Sequence, residues 1–190
     1  ALGAWVLRRA CAQARDWPDH LYVSVNISAR QFEMRDVAAD VRAALAAAGL
    51  PPRRLALEIT ETLLLERSPR VIAALEALRA DGVSVKLDDF GAGYSSLAYL
   101  RQFRFDAVKI DRFFIAEIET RDENAAIVRA IADLTRALDV KLIAEGVETE
   151  AQRAKLVAAG CEFAQGFLFS RPAAVADLPA AFRTPGERAA

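Results

Sequence analysis

Apolar and polar residues alternate along this chain in two rhythms. Six stretches alternate at period two, over residues 22–28, 55–61, 83–89, 107–111, 140–146 and 163–169, which predicts six strands. Helical spacing fills the intervals. Residues 1–15 predict a helix, with Trp5, Val6, Arg8, Arg9 and Cys11 in an amphipathic mix. Residues 36–48 predict another through Val37, Val41 and Leu45, and Gly49 stops it. Ser68 is expected to cap the next helix, with Pro69 at its first position and Gly82 past its end. A short helix is expected around 95–103. The strongest pattern covers 123–138, with Ile127, Ile131, Leu134 and Leu138 along one face. Thr149 and Gln152 form a capping box for a helix that Gly160 terminates.

Strands that alternate with helices indicate parallel βαβ units. Six units in 190 residues suit either a doubly wound sheet or part of a (β/α)8 barrel. The strand faces decide between them. One face is branched and apolar: Val23, Val25 and Ile27; Leu55, Leu57 and Ile59; Val83, Val85 and Leu87. The other carries small or polar groups, such as Ser24 and Asn26, Glu58 and Thr60, or Lys86 and Asp88. A doubly wound sheet has helices on both sides and tends to be apolar on both. A barrel faces its helices on one side only, and its other side turns polar near the mouth. The predicted class is therefore α/β, a (β/α)8 TIM-type barrel with about six of its eight βα units present.

Composition narrows the chemistry. An apolar share of 54% argues against disorder, and the length suits one domain with a sizeable core. A formal net charge of −1 gives no global attraction to DNA, RNA or an anionic membrane. Cys11 and Cys161 stand far apart and make no metal-spacing motif, so they read as reduced core cysteines of a cytoplasmic protein. No apolar run is long enough to span a bilayer, and no signal peptide opens the chain. The single histidine, His20, lies in a polar turn, which leaves mechanisms built on a His base poorly supported.

The candidate chemistry is on the polar strand face. Residues 84–90 run from a strand into Asp88 and Asp89, followed by Gly91 and Gly93. Adjacent strand residues point to opposite faces, so both carboxylates meet one site only if the strand ends or bends there. The two glycines are expected to supply that bend. Late in each strand, in the same phase, stands one polar residue: Asn26, Glu58, Asp88, Lys109, Glu145 and Gln165. In a barrel these converge at the C-terminal mouth. With Asp89 they form an oxygen-donor set plus one ammonium, suited to hard cations, Mg²⁺ or Mn²⁺, and to two of them. A metal pair suits phosphodiester hydrolysis, with Lys109 holding or deprotonating a water. Each residue alone has a plainer reading. Asn26 and Gln165 could be buried amides, Glu58 and Glu145 structural carboxylates, Lys109 a salt-bridge partner of Asp111 or a neighbouring acid, and the Asp-Gly stretch a solvated turn.

The blocks Asn26-Ile27-Ser28-Ala29-Arg30-Gln31-Phe32, Glu58-Ile59-Thr60-Glu61, Asp88-Asp89-Phe90-Gly91-Ala92-Gly93-Tyr94-Ser95-Ser96-Leu97, Lys109-Ile110-Asp111-Arg112, Glu145-Gly146-Val147-Glu148-Thr149 and Gln165-Gly166-Phe167-Leu168-Phe169-Ser170-Arg171-Pro172 resemble successive blocks of the EAL domain. The resemblance implies a (β/α)8 barrel that hydrolyses cyclic di-GMP to linear pGpG with Mg²⁺ or Mn²⁺. It implies that Asn26, Glu58, Asp88, Asp89, Glu145 and Gln165 bind metal and that Lys109 handles water. Glu61 would anchor the 88–97 loop. In that loop Phe90, Gly91, Ala92, Gly93, Tyr94, Ser95 and Ser96 would couple the site to the contacts of a homodimer. Ala92 stands where the family commonly has Thr.

The resemblance also has a departure. The strand-borne Glu-Ala-Leu block that names the family, whose Glu is a metal ligand, has no counterpart at the head of this chain. Residues 1–190 are thus expected to be one EAL domain truncated at its N-terminus and inactive alone. The parent would be a cytoplasmic homodimer with an upstream sensory or GGDEF-type domain, and any membrane tether would lie upstream. The alternatives are an inactive EAL-like receptor or protein-interaction module, and a different metal-dependent barrel enzyme.

Overall fold

The computed structural model describes residues 2–65, 68–91, 100 and 103–177. Six strands are among them: β1 (Val23–Asn26), β2 (Leu55–Thr60), β3 (Ser84–Phe90), β4 (Ala107–Ile110), β5 (Lys141–Ala144) and β6 (Phe163–Ala164). They follow one another in chain order across one sheet, and the registered pairs are parallel. The helices are α1 (Leu2–Ala14), α2 (Ala29–Met34), α3 (Val37–Ala48), α4 (Glu61–Leu65), α5 (Pro69–Ala80), α6 (Arg112–Ala116), α7 (Asp122–Ala137) and α8 (Glu150–Ala158). Sequential parallel strands joined by helices are the βαβ arrangement that the two rhythms predict. Most of the helix expected over 95–103 lies outside the described residues, as do Ala92, Gly93, Tyr94, Ser95 and Ser96.

The chain divides into two compact units, one of Ala1–Glu58, Arg67–Val85 and Pro172–Ala190, the other of Ile59–Glu66 and Lys86–Arg171. In the first, Leu7, Cys11 and Ala14 of α1 are buried, as are Val41, Ala44 and Leu45 of α3, which packs against it. Asp36 caps α3 by accepting from the Ala39 N–H at 2.9 Å, and Gly49 ends it. β2 is buried along both faces, as a central parallel strand should be. Arg54 precedes it, only 3% exposed. Its guanidinium donates to the carbonyls of Ala14 (2.7 Å), Leu21 (2.8 Å), Trp17 (2.9 Å) and Pro18 (3.1 Å). These bonds satisfy the turn between α1 and β1 and join it to the start of β2. His20, in that turn, is exposed.

In the second unit β4 is wholly buried between β3 and β5. The Thr149–Gln152 capping box opens α8 as expected, with Gln152 N–H donating to Thr149 Oγ1 at 3.0 Å. Cys11 and Cys161 are both free and buried, and burial pushes both thiols up. Among the described residues no helix is long and apolar enough to cross a membrane.

Three local expectations are corrected, and one is refined. Ser68 holds the N-cap position of α5, but its side chain makes no capping bond. The face of α7 that packs inward is Asn124, Val128, Ala132 and Thr135, whereas Ile127 is 39% exposed. β6 stops at Ala164, because residues 165–168 turn onto Val147: its N–H donates to the Gln165 carbonyl at 3.1 Å and its own carbonyl accepts from Leu168 N–H at 3.0 Å. Finally, a Glu-Ala-Leu tripeptide does occur, at residues 76–78, but it is helical within α5 with Leu78 in the core, so it is not the strand-borne block of the resemblance.

Candidate active site

The acid pair is built by an irregularity in β3. Asp89 adopts a left-handed backbone (φ 54°), and the β3–β4 register shifts between Leu87 and Phe90. Asp is among the few L-residues that tolerate this conformation, and a bulge of this kind re-aims side chains. The bend therefore begins on Asp89 itself, two residues before the first of the glycines expected to supply it. Its consequence is that Asp88 and Asp89 escape strand alternation. Carboxylate oxygens of Asp88, Asp89 and Glu145 all lie within 4.8 Å of one another.

Lys109 stands beside this cluster on β4, 3% exposed. Its Nζ lies 3.0 Å from Asp88 Oδ1 and 2.6 Å from Glu145 Oε1. The same Glu145 oxygen accepts from Gln165 Nε2 at 2.7 Å. Glu145 follows β5 directly, and Gln165 follows β6. One buried ammonium thus sits between two of three neighbouring carboxylates, which offsets part of their repulsion. Asp89 keeps a surplus of negative surroundings. Although Asp89 is exposed, partial loss of surrounding water first, then the charges of Asp88 and Asp111, raise its pKa above the ordinary carboxylate value, against the pull of Lys109. Lys109 thus pairs with two neighbouring acids, Asp88 and Glu145, as the plainer salt-bridge reading also allowed.

Glu61 begins α4, and its Oε1 accepts from the Gly91 N–H at 3.0 Å, just after the acid pair. In the other unit Asn26 ends β1 in register with Glu58 of β2, and the next N–H, of Ile27, donates to the Glu58 carbonyl at 2.9 Å. Glu58 is buried and Asn26 exposed. The structure therefore groups Asp88, Asp89, Lys109, Glu145 and Gln165 in one unit, with Glu61 on the adjoining backbone, and pairs Asn26 with Glu58 in the other.

Sequence reasoning weighed Asp111 only as a partner for Lys109, not as part of the acid cluster. It caps α6, its Oδ1 accepting from Phe113 N–H at 2.7 Å, and its charge acts on Asp89. The signal was available, since period two puts Asp111 two residues from Lys109 in the same strand phase.

If Glu61 fixes the loop carrying the acids, Glu61→Ala should raise exchange at the Gly91 amide and weaken Mn²⁺ binding about tenfold. Amide exchange with a Mn²⁺ titration checks this, and unchanged values in both would leave Glu61 without that role.

Six consecutive parallel strands, with acids and a lysine at their C-terminal ends, define an α/β domain of the (β/α)8 barrel class with a polar site at the strand ends. The EAL domain family model matches residues 1–172, and the chain belongs to that family. It is 45% identical over 90% of its length to the bifunctional diguanylate cyclase/cyclic di-GMP phosphodiesterase MucR of Pseudomonas aeruginosa, covering 26% of that protein. It is 45% identical over 93% of its length to the cyclic di-GMP phosphodiesterase NbdA of the same organism, covering 23%. The chain spans about a quarter of the length of these curated relatives. Among solved structures it matches the PaMucR phosphodiesterase in complex with c-di-GMP with a TM-score of 0.88 at 44% identity, over 94% of this chain and 74% of that one. It also matches a manganese/cy-diGMP complex of Klebsiella pneumoniae BlrP1 with a TM-score of 0.84 at 32% identity, over 90% and 44%.

Proposed function

We propose that this chain supplies the metal-binding and water-handling groups of a cyclic di-GMP phosphodiesterase that opens one phosphodiester bond to give linear pGpG. The observation that carries the reading is the Lys109 ammonium between Asp88 and Glu145, with the Asp89 carboxylate in the same cluster. The family membership and the names of MucR and NbdA support the substrate.

The donor set fits hard divalent cations, since carboxylate and amide oxygens suit Mg²⁺ and Mn²⁺ and no thiolate or imidazole competes. Asp88, Asp89, Glu145 and Gln165, joined by Asn26 and Glu58, would hold them. Such cations supply Lewis-acid polarisation of the phosphoryl oxygens and a lowered water pKa. The protein's own groups do the rest. Asp88, Asp89 and Glu145 accept the positive charge. Lys109 would hold or deprotonate the attacking water, or steady the negative charge that develops on the phosphate. Glu61 holds the backbone after Asp89 in place. The reading extends to a homodimer coupled through residues 90–96. It also extends to a cytoplasmic polypeptide carrying a sensory or GGDEF-type segment, and to a strand-borne Glu-Ala-Leu block completing the ligand set.

The test compares the 190-residue chain with a polypeptide that also carries that block. pGpG is expected only from the latter, only with Mg²⁺ or Mn²⁺, and not after chelation. Cation affinity should strengthen as pH rises above the ordinary carboxylate range, because Asp89 holds its proton too tightly and must release it to become a ligand. Nucleotide binding without pGpG in any sample would assign the protein to the receptors instead.

A further inference from the structure

We propose that Phe114, in the first turn of α6, is a positioning residue that holds the acid pair of β3 at its working distance from Glu145; this rests on the metal-handling reading above. The sheet itself fixes the two acid-bearing ends only up to a point. Asp111 N–H donates to the Phe90 carbonyl at 3.3 Å, and Glu145 N–H donates to the Ile110 carbonyl at 3.2 Å. Beyond those bonds each chain leaves the β4 edge through a glycine with positive φ, Gly91 (93°) after the acid pair and Gly146 (69°) after Glu145. A residue of that conformation has little rigidity of its own.

Both glycines come to rest on α6. A Cβ built on Gly91 would lie 2.6 Å from Phe114 Cε2 and 3.0 Å from Cζ, so the ring edge occupies the place where any side chain would go. A Cβ on Gly146 would lie 2.7 Å from the Cβ of Arg112. Phe114 is half-buried and held edge-on against Phe113, with ring centroids 5.5 Å apart. Asp111 fixes the start of the same turn as its N-cap. One short, capped turn therefore packs against the backbone two residues after Asp89 and directly after Glu145. The ring contact at Gly91 and the Glu61 bond to the Gly91 N–H hold this backbone from two sides. Phe114 touches no reacting atom in this account and acts only through the acids.

The test is Phe114→Ala, with Phe114→Leu as the variant that keeps most of the apolar bulk. Three quantities decide it: amide exchange at Gly91 and Glu145 in the 190-residue chain, Mn²⁺ affinity of the same chain, and kcat and KM in the polypeptide carrying the Glu-Ala-Leu block. Phe114→Ala is expected to speed Gly91 exchange more than exchange in β4, to weaken Mn²⁺ binding about tenfold, and to lower kcat with KM within twofold. Phe114→Leu should recover most of each. A uniform rise in exchange across β4 with no excess at Gly91 would reduce Phe114 to a core residue and overturn the proposal. Unchanged exchange at Gly91 would do the same. A wild-type chain that binds no Mn²⁺ would sink the metal reading, while Gly91 exchange would still decide what Phe114 does.

Discussion

Lys109→Ala is expected to lower kcat for pGpG formation on the order of a hundredfold or more, while nucleotide affinity stays within a few-fold. The size follows from the role. A group that stabilises charge only as the transition state forms affects kcat rather than ground-state binding. The structure adds a second expected effect. Lys109 is buried and contacts two carboxylates, at 3.0 Å and 2.6 Å. Removing it leaves Asp88 and Glu145 with like charge and no shared ammonium. Breaking such a pair from one side costs roughly 3–5 kcal/mol. Divalent cation should restore part of that loss, because it replaces the missing positive charge. Urea denaturation with and without Mn²⁺ measures this, beside steady-state kinetics. Lys109→Arg should not rescue turnover, since a planar guanidinium does not fit the position of a compact ammonium. Loss of nucleotide binding with kcat retained would make Lys109 a substrate clamp.

The contrast between what the chain announces and what it conceals is physical. Period-two alternation located β1 to β5 because side chains alternate between the two faces of a strand, and each of these strands keeps an apolar set on one of them. The same rule failed at β6. Phe163, Phe167 and Phe169 keep an alternating spacing, yet all three are exposed and the strand ends at Ala164. What ends it is a backbone approach to Val147, which no side-chain pattern encodes. On α7 the large apolar residues drew the reading toward Ile127 and Ile131. The inward face instead took Val128, Ala132 and Thr135, whose small side chains suit a close approach. The short helices α2 and α6 span too few turns for periodicity. Their caps, Ser28 with Gln31 and Asp111, emerge only in the structure.

The site shows the same division. Strand phase picked out Asp88, Lys109, Glu145 and Gln165, which the structure groups by ion pairs and a hydrogen bond. How two adjacent aspartates share one site was not legible. The answer is a left-handed aspartate at a bulge, whereas the sequence pointed to glycine as the residue that bends. The partner of Glu61 was legible only as a loop; that the acceptor meets the Gly91 N–H is a matter of three-dimensional reach.

Gly166→Ala is expected to destabilise the chain by about 3 kcal/mol or more and to disturb the Glu145 carboxylate with it. A Cβ at this position would lie 2.1 Å from the Val147 carbonyl oxygen, 2.3 Å from its nitrogen and 2.7 Å from its carbonyl carbon. All three are backbone atoms, so no rotamer change relieves the overlap. Both polar groups of Val147 are also in use, toward Gln165 and Leu168. Moving away to admit a methyl group would break bonds on either side, leaving polar backbone unpaired next to buried Val147. Overpacking alone costs typically 1–3 kcal/mol, and the lost bonds add to it. The displaced segment carries Gln165, whose amide donates to Glu145, and Glu145 is held by Lys109. The steric event should therefore reach the metal-binding groups and weaken Mn²⁺ affinity. Gln165→Ala separates the two contributions. It removes the contact to Glu145 but leaves the Val147 backbone in place, so it should weaken Mn²⁺ binding while lowering stability by less than about 1 kcal/mol. Urea denaturation and a Mn²⁺ titration on both variants decide it, and equal stability losses in the two would show that the Val147 contact is not what makes glycine necessary at 166.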